Sequence, residues 1–242
     1  MIGDQLKTIG AIINKNIVLT LWLSLSFSLF GQDWPELNRY RAHNAKLGLP
    51  AANENRIVFM GNSITEGWST VLPEYFSGKS YVNRGISGQT TPQMLVRFRA
   101  DVIDLKPKAV VILAGTNDIA GNTGPATVKM IADNIISMAE LARENNILVV
   151  ISSVLPVYDY SWKPGLEPVP KISKLNEIIK NYAVNHRHTY LDYYAAMVDD
   201  KKGLDEKYTS DGVHPNKAGY KVMTTLAEQA IAKTLDYARL KK

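Results

Sequence analysis

The sequence predicts an α/β fold of three layers, in which helices cover both faces of a parallel five-stranded sheet. Two observations predict it. Short apolar runs recur along the chain, and the clearest of them, 109–114, is apolar throughout, which is typical of strands buried on both faces. Helix-like stretches alternate with these runs, so the strands run parallel and right-handed crossovers place helices on both faces.

The elements follow one another in a regular order. Strands are predicted at residues 56–60, 81–84, 109–114, 147–154 and 189–192. Helices are predicted before, between and after them, at residues 33–49, 65–76, 91–105, 125–145, 172–185 and 217–235. In the first helix Leu37, Tyr40 and Ala45 share one face, and Pro50 ends it because proline cannot continue a helix. An aromatic and proline-rich loop follows the fourth strand.

Length and composition fit a single domain with a buried core. The chain has 242 residues, 45% of them hydrophobic, and no repeat or low-complexity block. Its formal charge is +5, but lysine and arginine are scattered among acidic residues, so no nucleic-acid partner is expected. The chain contains no cysteine and therefore forms no disulfide.

The first 31 residues are typical of a secretory signal peptide. Lys7 and Lys15 precede an apolar run at 17–31, which is shorter than the roughly 20 residues that span a membrane. We therefore predict a signal peptide at 1–31, a single mature domain at 32–242, a secreted or periplasmic location, and no stable membrane insertion after cleavage. An uncleaved N-terminal anchor is the alternative.

Polar residues follow three predicted strands, and a fourth polar segment precedes the last helix. Ser63, Gly88 and Asn117 each come just after a strand, and ligands of parallel α/β sheets bind beyond the carboxyl ends of the strands. Asp211 precedes His214 by three residues, so its carboxylate can hold one ring nitrogen while the other accepts a proton from Ser63. The pattern indicates a serine nucleophile that attacks esters.

Each of these residues also has an ordinary structural interpretation. Ser63 could cap a helix, Gly88 could occupy a turn that needs a positive φ, and Asn117 could cap a loop. Asp211-Gly212 and His214-Pro215 are turn dipeptides. Taken together, however, the N–H groups of Ser63 and Gly88 and the amide of Asn117 supply three donors for one oxyanion. The combination favours a catalytic site.

The sequence lacks the motifs typical of other serine hydrolases, of metal sites and of cofactor sites. A Gly-x-Ser-x-Gly elbow would need glycine where the chain has Thr65. The four histidines show no His-Glu-x-x-His spacing, and no phosphate-binding loop is present, so neither a metal nor a cofactor is expected. His186 and His188 follow a predicted helix, where a cation is favoured near the C-terminus.

Four blocks of the sequence resemble those of the SGNH hydrolases, also called GDSL-type esterases and lipases. The resemblance covers nearly all of residues 56–235. The blocks are Gly61-Asn62-Ser63-Ile64, residues 83–90, Gly115-Thr116-Asn117-Asp118 and Asp211-Gly212-Val213-His214-Pro215. The resemblance implies a flavodoxin-like three-layer fold. It also implies Ser63 as nucleophile, His214 as general base and then acid, Asp211 as orienting acid, and an oxyanion hole formed by Ser63, Gly88 and Asn117.

Within the family, the glycine block and the size resemble the branch of platelet-activating-factor acetylhydrolase subunits and bacterial carbohydrate acetylesterases. One position departs from the family pattern, which usually has Asp where this chain has Asn62. The amide removes a negative charge and changes the local hydrogen bonding, but it replaces neither the nucleophile nor a proton carrier.

Three aromatic residues are candidate substrate contacts. Trp68 lies five residues after Ser63 and could flank the pocket or pack in the core. Tyr158 and Trp162 lie on the stiff loop at 155–165, where their rings could stack on sugar faces or cover the edge of the sheet. The sequence shows no long apolar lid, which favours a short acyl group such as acetyl.

We therefore expect a secreted serine esterase that acts on short-chain esters, with a small-molecule or glycan ester as its partner. Three alternatives stay open. A lipid-directed esterase or lysophospholipase would use the same residues with an apolar acyl channel, a glycan-binding module would use the scaffold without catalysis, and a transacylase would prefer a sugar alcohol to water. The oligomeric state is left open.

Overall fold

A computed structural model describes residues 33–239 of the chain, so the predicted signal peptide at 1–31 lies outside the described residues. The strands are β1 (Ile57–Gly61), β2 (Tyr81–Gly85), β3 (Ala109–Ile112), β4 (Leu148–Ser152) and β5 (Thr189–Leu191). The helices are α1 (Arg41–Leu47), α2 (Ser63–Val71), α3 (Thr91–Asp101), α4 (Thr116–Ile119), α5 (Val128–Glu144), α6 (Pro168–Asn185), α7 (Tyr193–Met197) and α8 (Lys217–Arg239). Short 3₁₀ turns lie at Pro73–Tyr75, Ile103–Leu105 and Glu206–Tyr208.

The five strands of the described region form one parallel sheet in the order β2-β1-β3-β4-β5. In register, Val58 of β1 lies opposite Val82 of β2 and Val110 of β3. The chain therefore leaves β1 toward β2 and later crosses back over β1 to β3. Ligands of this strand order bind where the order reverses, beyond the ends of β1 and β3. The predicted fold class is confirmed.

Alternate residues of the strands feed two separate apolar cores, one on each face. On one face Met60 and Ile112 pack against α3, α5 and α6, which contribute Phe98, Ile135 and Leu175. The other face carries side chains from β1, β3, α2 and α8, namely Phe59, Val111, Trp68 and Met223 among others. Burial of each such side chain stabilises the fold by about 1.5–3 kcal/mol. Two cores around one sheet make the three predicted layers.

Several element boundaries differ from the prediction for local reasons. Of the first predicted helix, at 33–49, only α1 is helical. The residues before α1 form turns, and α1 itself buries none of its side chains. Helix α6 begins at Pro168, four residues before its predicted start, because proline's fixed φ suits a first helical position. The helices α4 and α7 were not predicted, since four or five residues are too few to show a helical period.

Within residues 33–239, no helix combines the length and the apolar character needed to cross a membrane.

Candidate active site

Ser63 lies at the sharp turn between β1 and α2 and is the first residue of that helix. The turn depends on Gly61, because a Cβ at this position would lie 1.9 Å from Oγ1 of Thr65. Ser63 is partly exposed, whereas its neighbour Asn62 is buried and the Asn62 Oδ1 atom has no hydrogen-bond partner among the described residues. The strand thus delivers the serine to the rim of the sheet at the positive end of a helix.

Hydrogen bonds join Ser63 to His214 and Asp211. The Ser63 Oγ lies 2.9 Å from Nε2 of His214, and Nδ1 of His214 lies 2.7 Å from Oδ2 of Asp211. A carboxylate only accepts hydrogen bonds, so Nδ1 carries the proton and Nε2 is left to accept one from the serine. The three residues predicted as a triad therefore lie in one hydrogen-bonded line.

The Asp211 carboxylate is held ionised by its own loop. Partial burial tends to raise its pKa, but hydrogen bonds from the backbone and ring of His214 and from the backbone of Val213 outweigh that effect and lower the pKa to about 2. The backbone N–H groups donate to Oδ1 over 2.7 Å and 2.9 Å. Thr209 closes the loop by donating its hydroxyl to the carbonyl of His214 at 2.8 Å. Oδ2 is thereby left to orient the imidazole.

The oxyanion candidates lie on the loops after β2 and β3. Gly88 has a φ of +77°, a conformation that favours glycine, and its carbonyl accepts a hydrogen bond of 3.1 Å from Nδ2 of Asn122. Asn117 is buried in α4 and donates from Nδ2 to the carbonyl of Gln89 at 2.9 Å. Because an amide nitrogen carries two protons, Asn117 keeps a second donor after bonding the Gly88–Gln89 segment.

Buried polar contacts fix these loops from behind. Asp118 accepts from the backbone N–H of Thr91 at 3.0 Å, which ties the loop after β3 to the start of α3, and burial raises the pKa of Asp118. Arg97 of α3 is fully buried and donates to the carbonyl of Gly61 at 2.9 Å and to Oε1 of Gln89 at 2.6 Å. The segments that carry Ser63 and Gly88 are thus both bonded to one arginine.

Trp68 does not contact the site, and the prediction that it binds substrate is wrong. The side chain is 1% exposed and stacks on Tyr75 at 4.8 Å and on Tyr220 at 5.7 Å between ring centroids. Phe59 of β1 meets its edge at 5.6 Å. Of the two interpretations of Trp68, core packing is the correct one.

The other two aromatic candidates lie near His214 and Asp211, respectively. Trp162 is 49% exposed, and its ring stacks toward that of His214 with 6.4 Å between centroids. Tyr158 is 64% exposed and lines a cavity of about 320 Å³ that also contacts Asp211. The loop that carries them is anchored by Tyr160, which is buried and donates its hydroxyl to the carbonyl of Thr116 at 2.9 Å.

Glu66 is a residue of the site that the sequence patterns did not single out. It lies one turn after Ser63 on α2, and its carboxylate accepts a 2.9 Å hydrogen bond from the backbone N–H of Ser87 and another from the Ser87 hydroxyl. The spacing Ser-x-x-Glu was the only signal in the sequence, and it predicts a bond within the helix rather than to a loop.

The described part of the chain holds no group of three or more acidic or histidine side chains arranged to bind a metal.

His186 and His188 lie just after α6, where Tyr182 stacks on His186 with 4.0 Å between ring centroids. Burial, with smaller contributions from His186 and Arg143, lowers the pKa of His188 to about 4.

Comparison with known proteins identifies the family of the chain. Residues 59–222 match the model of the GDSL-like lipase/acylhydrolase family. A solved structure from Bacteroides fragilis is 49% identical, with a TM-score of 0.83 over 85% of this chain and 100% of that chain. A GDSL-like lipase from Bacteroides thetaiotaomicron is 47% identical, with a TM-score of 0.80 over 82% of this chain and 98% of that chain.

Curated relatives are more distant. An acetylxylan esterase from Xylanibacter ruminicola is 23% identical over 222 residues, which is 76% of this chain and 45% of that protein. The chain spans a similar share, 42%, of an uncharacterized lipoprotein of Bacillus subtilis to which it is 33% identical over 103 residues. The match of the family model to most of the chain is decisive, and the protein belongs to the GDSL-like lipase/acylhydrolase family, the SGNH hydrolases that its four sequence blocks resemble.

Proposed function

We propose that this protein is a secreted serine esterase that hydrolyses short-chain esters, above all acetyl esters of carbohydrates, with Ser63, His214 and Asp211 as its catalytic triad. The observation that carries the proposal is the line of hydrogen bonds from Asp211 through His214 to Ser63, 2.7 Å and 2.9 Å long. The 2.9 Å distance between Ser63 and His214 is within the range of a nucleophile and base ready for proton transfer, and the 2.7 Å bond to Asp211 orients that base.

The mechanism follows from the donor and acceptor roles of these groups. Ser63 Oγ attacks the carbonyl carbon of the ester while His214 Nε2 takes the hydroxyl proton. The imidazolium then gives that proton to the leaving alcohol, and an acyl group stays on Ser63. A water molecule, deprotonated by the same nitrogen, releases the acid and restores the serine. Asp211 stays ionised throughout and stabilises the imidazolium.

The negative oxygen of the tetrahedral intermediate is assigned to three donors, the backbone N–H groups of Ser63 and Gly88 and the side-chain amide of Asn117. The hydrogen bond of Asn117 to Gln89 supports this role, because it fixes the amide and leaves one of its protons unused. The loss of one such donor typically costs about 2.7–4 kcal/mol of transition-state stabilisation.

Two features support a carbohydrate ester as substrate. Trp162 presents an exposed ring beside His214, and Tyr158 presents one in the cavity that also contacts Asp211. The relative named acetylxylan esterase supports the same class, and the proposed signal peptide at 1–31 would bring the protein to extracellular polysaccharide. We propose that residues 32–242 form the secreted catalytic domain.

The first experiment compares residues 32–242 with the Ser63→Ala variant on p-nitrophenyl acetate, butyrate and octanoate. We expect the wild type to cleave acetate fastest and Ser63→Ala to lose at least about 10³-fold in kcat. Fastest cleavage of octanoate would favour the lipid-directed alternative. Turnover of no ester by either protein would refute the esterase proposal and favour the binding module. Added xylose, tested as an acceptor, detects a transacylase.

A second experiment tests the carbohydrate assignment. The variant Trp162→Ala removes the ring beside His214 without touching the triad. We expect a higher KM for acetylated xylo-oligosaccharide and an unchanged KM for p-nitrophenyl acetate, since only the larger alcohol reaches the ring. An equal effect on both substrates would contradict a sugar contact at Trp162.

A further inference from the structure

The two backbone donors of the proposed oxyanion hole belong to separate segments of the chain. Ser63 begins α2, whereas Gly88 lies in the loop after β2. Both N–H groups must lie about 2.7–3.1 Å from the same oxygen to stabilise it. The relative position of the helix and the loop therefore matters directly for the reaction.

Glu66 connects the two segments through its side chain. It lies three residues after Ser63, so it belongs to the same rigid helical turn. Its Oε2 atom accepts both the backbone N–H and the hydroxyl of Ser87, and Ser87 is covalently joined to Gly88. The peptide group that carries the Gly88 N–H is thus bonded, through one residue, to the turn that carries the nucleophile.

The backbones also approach closely at this point. Gly85, at the end of β2, has no room for a side chain, because a Cβ there would lie 2.1 Å from the backbone nitrogen of Glu66. Asn83 donates its amide to the carbonyl of Thr65. The end of β2 therefore rests on the first turn of α2, and the Glu66–Ser87 contact extends that packing to the loop beyond the strand.

The charge of Glu66 is balanced away from the site. Its second oxygen accepts a 2.7 Å hydrogen bond from Arg39, which offsets a negative charge that would otherwise oppose an oxyanion nearby. Partial burial tends to raise the pKa of Glu66, but the hydrogen bonds from Ser87 and Arg39 outweigh it and lower the pKa. The carboxylate is therefore ionised at neutral pH and accepts both bonds from Ser87.

We propose that Glu66 is a positioning residue of the esterase, which holds Ser87 so that the N–H groups of Gly88 and Ser63 converge on one oxyanion. The inference rests on the proposed function, since it assigns a role in the same site. Glu66 contacts no reacting atom in this assignment and acts only through Ser87.

The test measures kcat and KM for p-nitrophenyl acetate in variants of Glu66. We expect Glu66→Ala to lower kcat about 10- to 100-fold with little change in KM, because a misplaced donor weakens binding of the transition state but not of the substrate. Glu66→Gln keeps an oxygen that can accept both bonds from Ser87, and we expect it to restore most of kcat.

Inhibition by a tetrahedral adduct gives a measurement that would not change if Glu66 had a purely structural role. An alkyl boronic acid bonds to Ser63 and places an oxygen in the oxyanion hole, so its inhibition constant is expected to rise in Glu66→Ala by the same factor as kcat/KM falls. The matched control is Glu177→Ala, which removes an exposed glutamate paired with Lys174 on α6 and is expected to leave both quantities unchanged.

The outcomes separate this inference from the proposed function. If Ser63→Ala is inactive and Glu66→Ala keeps kcat within about twofold of wild type, the positioning role is refuted and the esterase stands. If Ser63→Ala is also active, the esterase proposal itself fails. If Glu66→Ala does not fold, Glu66→Asp tests the positioning role instead. It keeps the negative charge, but its side chain is one methylene shorter, so its oxygens lie farther from Ser87. Unchanged kcat in Glu66→Asp would overturn the inference.

Discussion

Removal of the Arg97 side chain is predicted to destabilise the protein more than any exposed charge change. Arg97 is fully buried on α3, and its guanidinium donates to Oδ2 of Asp101, to Oε1 of Gln89 and to two backbone carbonyls, with distances of 2.6–2.9 Å. Asp101 is itself 2% exposed. The substitution Arg97→Met fills a similar volume but leaves the Asp101 carboxylate in the interior without its cation.

The size of the effect follows from which groups lose a partner. The carbonyl of Gly61 still accepts a hydrogen bond from the backbone of Ile86, so it is not left unpaired. Among residues 33–239, the hydrogen bond that Asp101 keeps is the 2.8 Å bond from Asn44. Loss of one partner of a buried ion pair costs about 3–5 kcal/mol, most of it from the stranded charge. We therefore expect Arg97→Met to lower the free energy of unfolding by about 3–5 kcal/mol.

Urea unfolding followed by circular dichroism measures this quantity, and a double variant tests its cause. Arg97→Met with Asp101→Asn removes the stranded charge, so we expect it to be more stable than Arg97→Met alone by at least about 1 kcal/mol. The control is Arg143→Met, which breaks an exposed pair with Glu144 and is expected to change stability by about 0.5 kcal/mol or less. A loss below about 1 kcal/mol in Arg97→Met would refute the reasoning.

Three further predictions follow from the site and the core. Asp211→Asn is expected to lower kcat for p-nitrophenyl acetate about 10³–10⁴-fold, because the amide favours the wrong tautomer of His214. Trp68→Ala is expected to cost about 3–5 kcal/mol in urea unfolding, with an unchanged KM, because it empties a core position. Burial raises the pKa of Tyr160 to about 12 from 10.0. The stability due to its protonated phenol is therefore complete below pH 10 and is lost as the pH rises through 12. When unfolding is measured at alkaline pH, the free energy of unfolding of Tyr160→Phe should fall less than that of the wild type.

The fold was predictable because the strands coincide with short apolar runs in the sequence. The run at 109–114 is apolar throughout, and the structure buries all of β3, which lies within it. The predicted strand extends two residues beyond β3, because Leu113 and Ala114 remain buried after the ladder ends. Burial and strand pairing are separate properties, and an apolar run reports only the first.

The candidate site was predictable where its residues belong to local motifs, and not where it depends on the path of the chain. Trp68 is an example. Residues five apart on a helix differ in direction by about 140°, so a helix that presents Ser63 to the rim turns Trp68 toward the sheet. Glu66 is a second residue whose role local motifs do not predict, because its partner Ser87 lies 21 residues away on a loop. Arg97 is charged but buried, because the fold surrounds its guanidinium with Asp101, Gln89 and two carbonyls at strand ends.

The first turn of α2 is the part of the site that relates the remaining groups to one another. Ser63 contacts His214, Glu66 contacts Ser87, and the carbonyl of Ile64 accepts a buried hydrogen bond of 2.8 Å from the hydroxyl of Tyr220 on α8. Helix α8 directly follows the loop that carries His214, so the Tyr220 bond fixes that loop against the turn that carries Ser63. The proposed base and the proposed oxyanion donors are therefore both positioned against one helical turn, and we expect a shift of that turn to disturb proton transfer and oxyanion binding together.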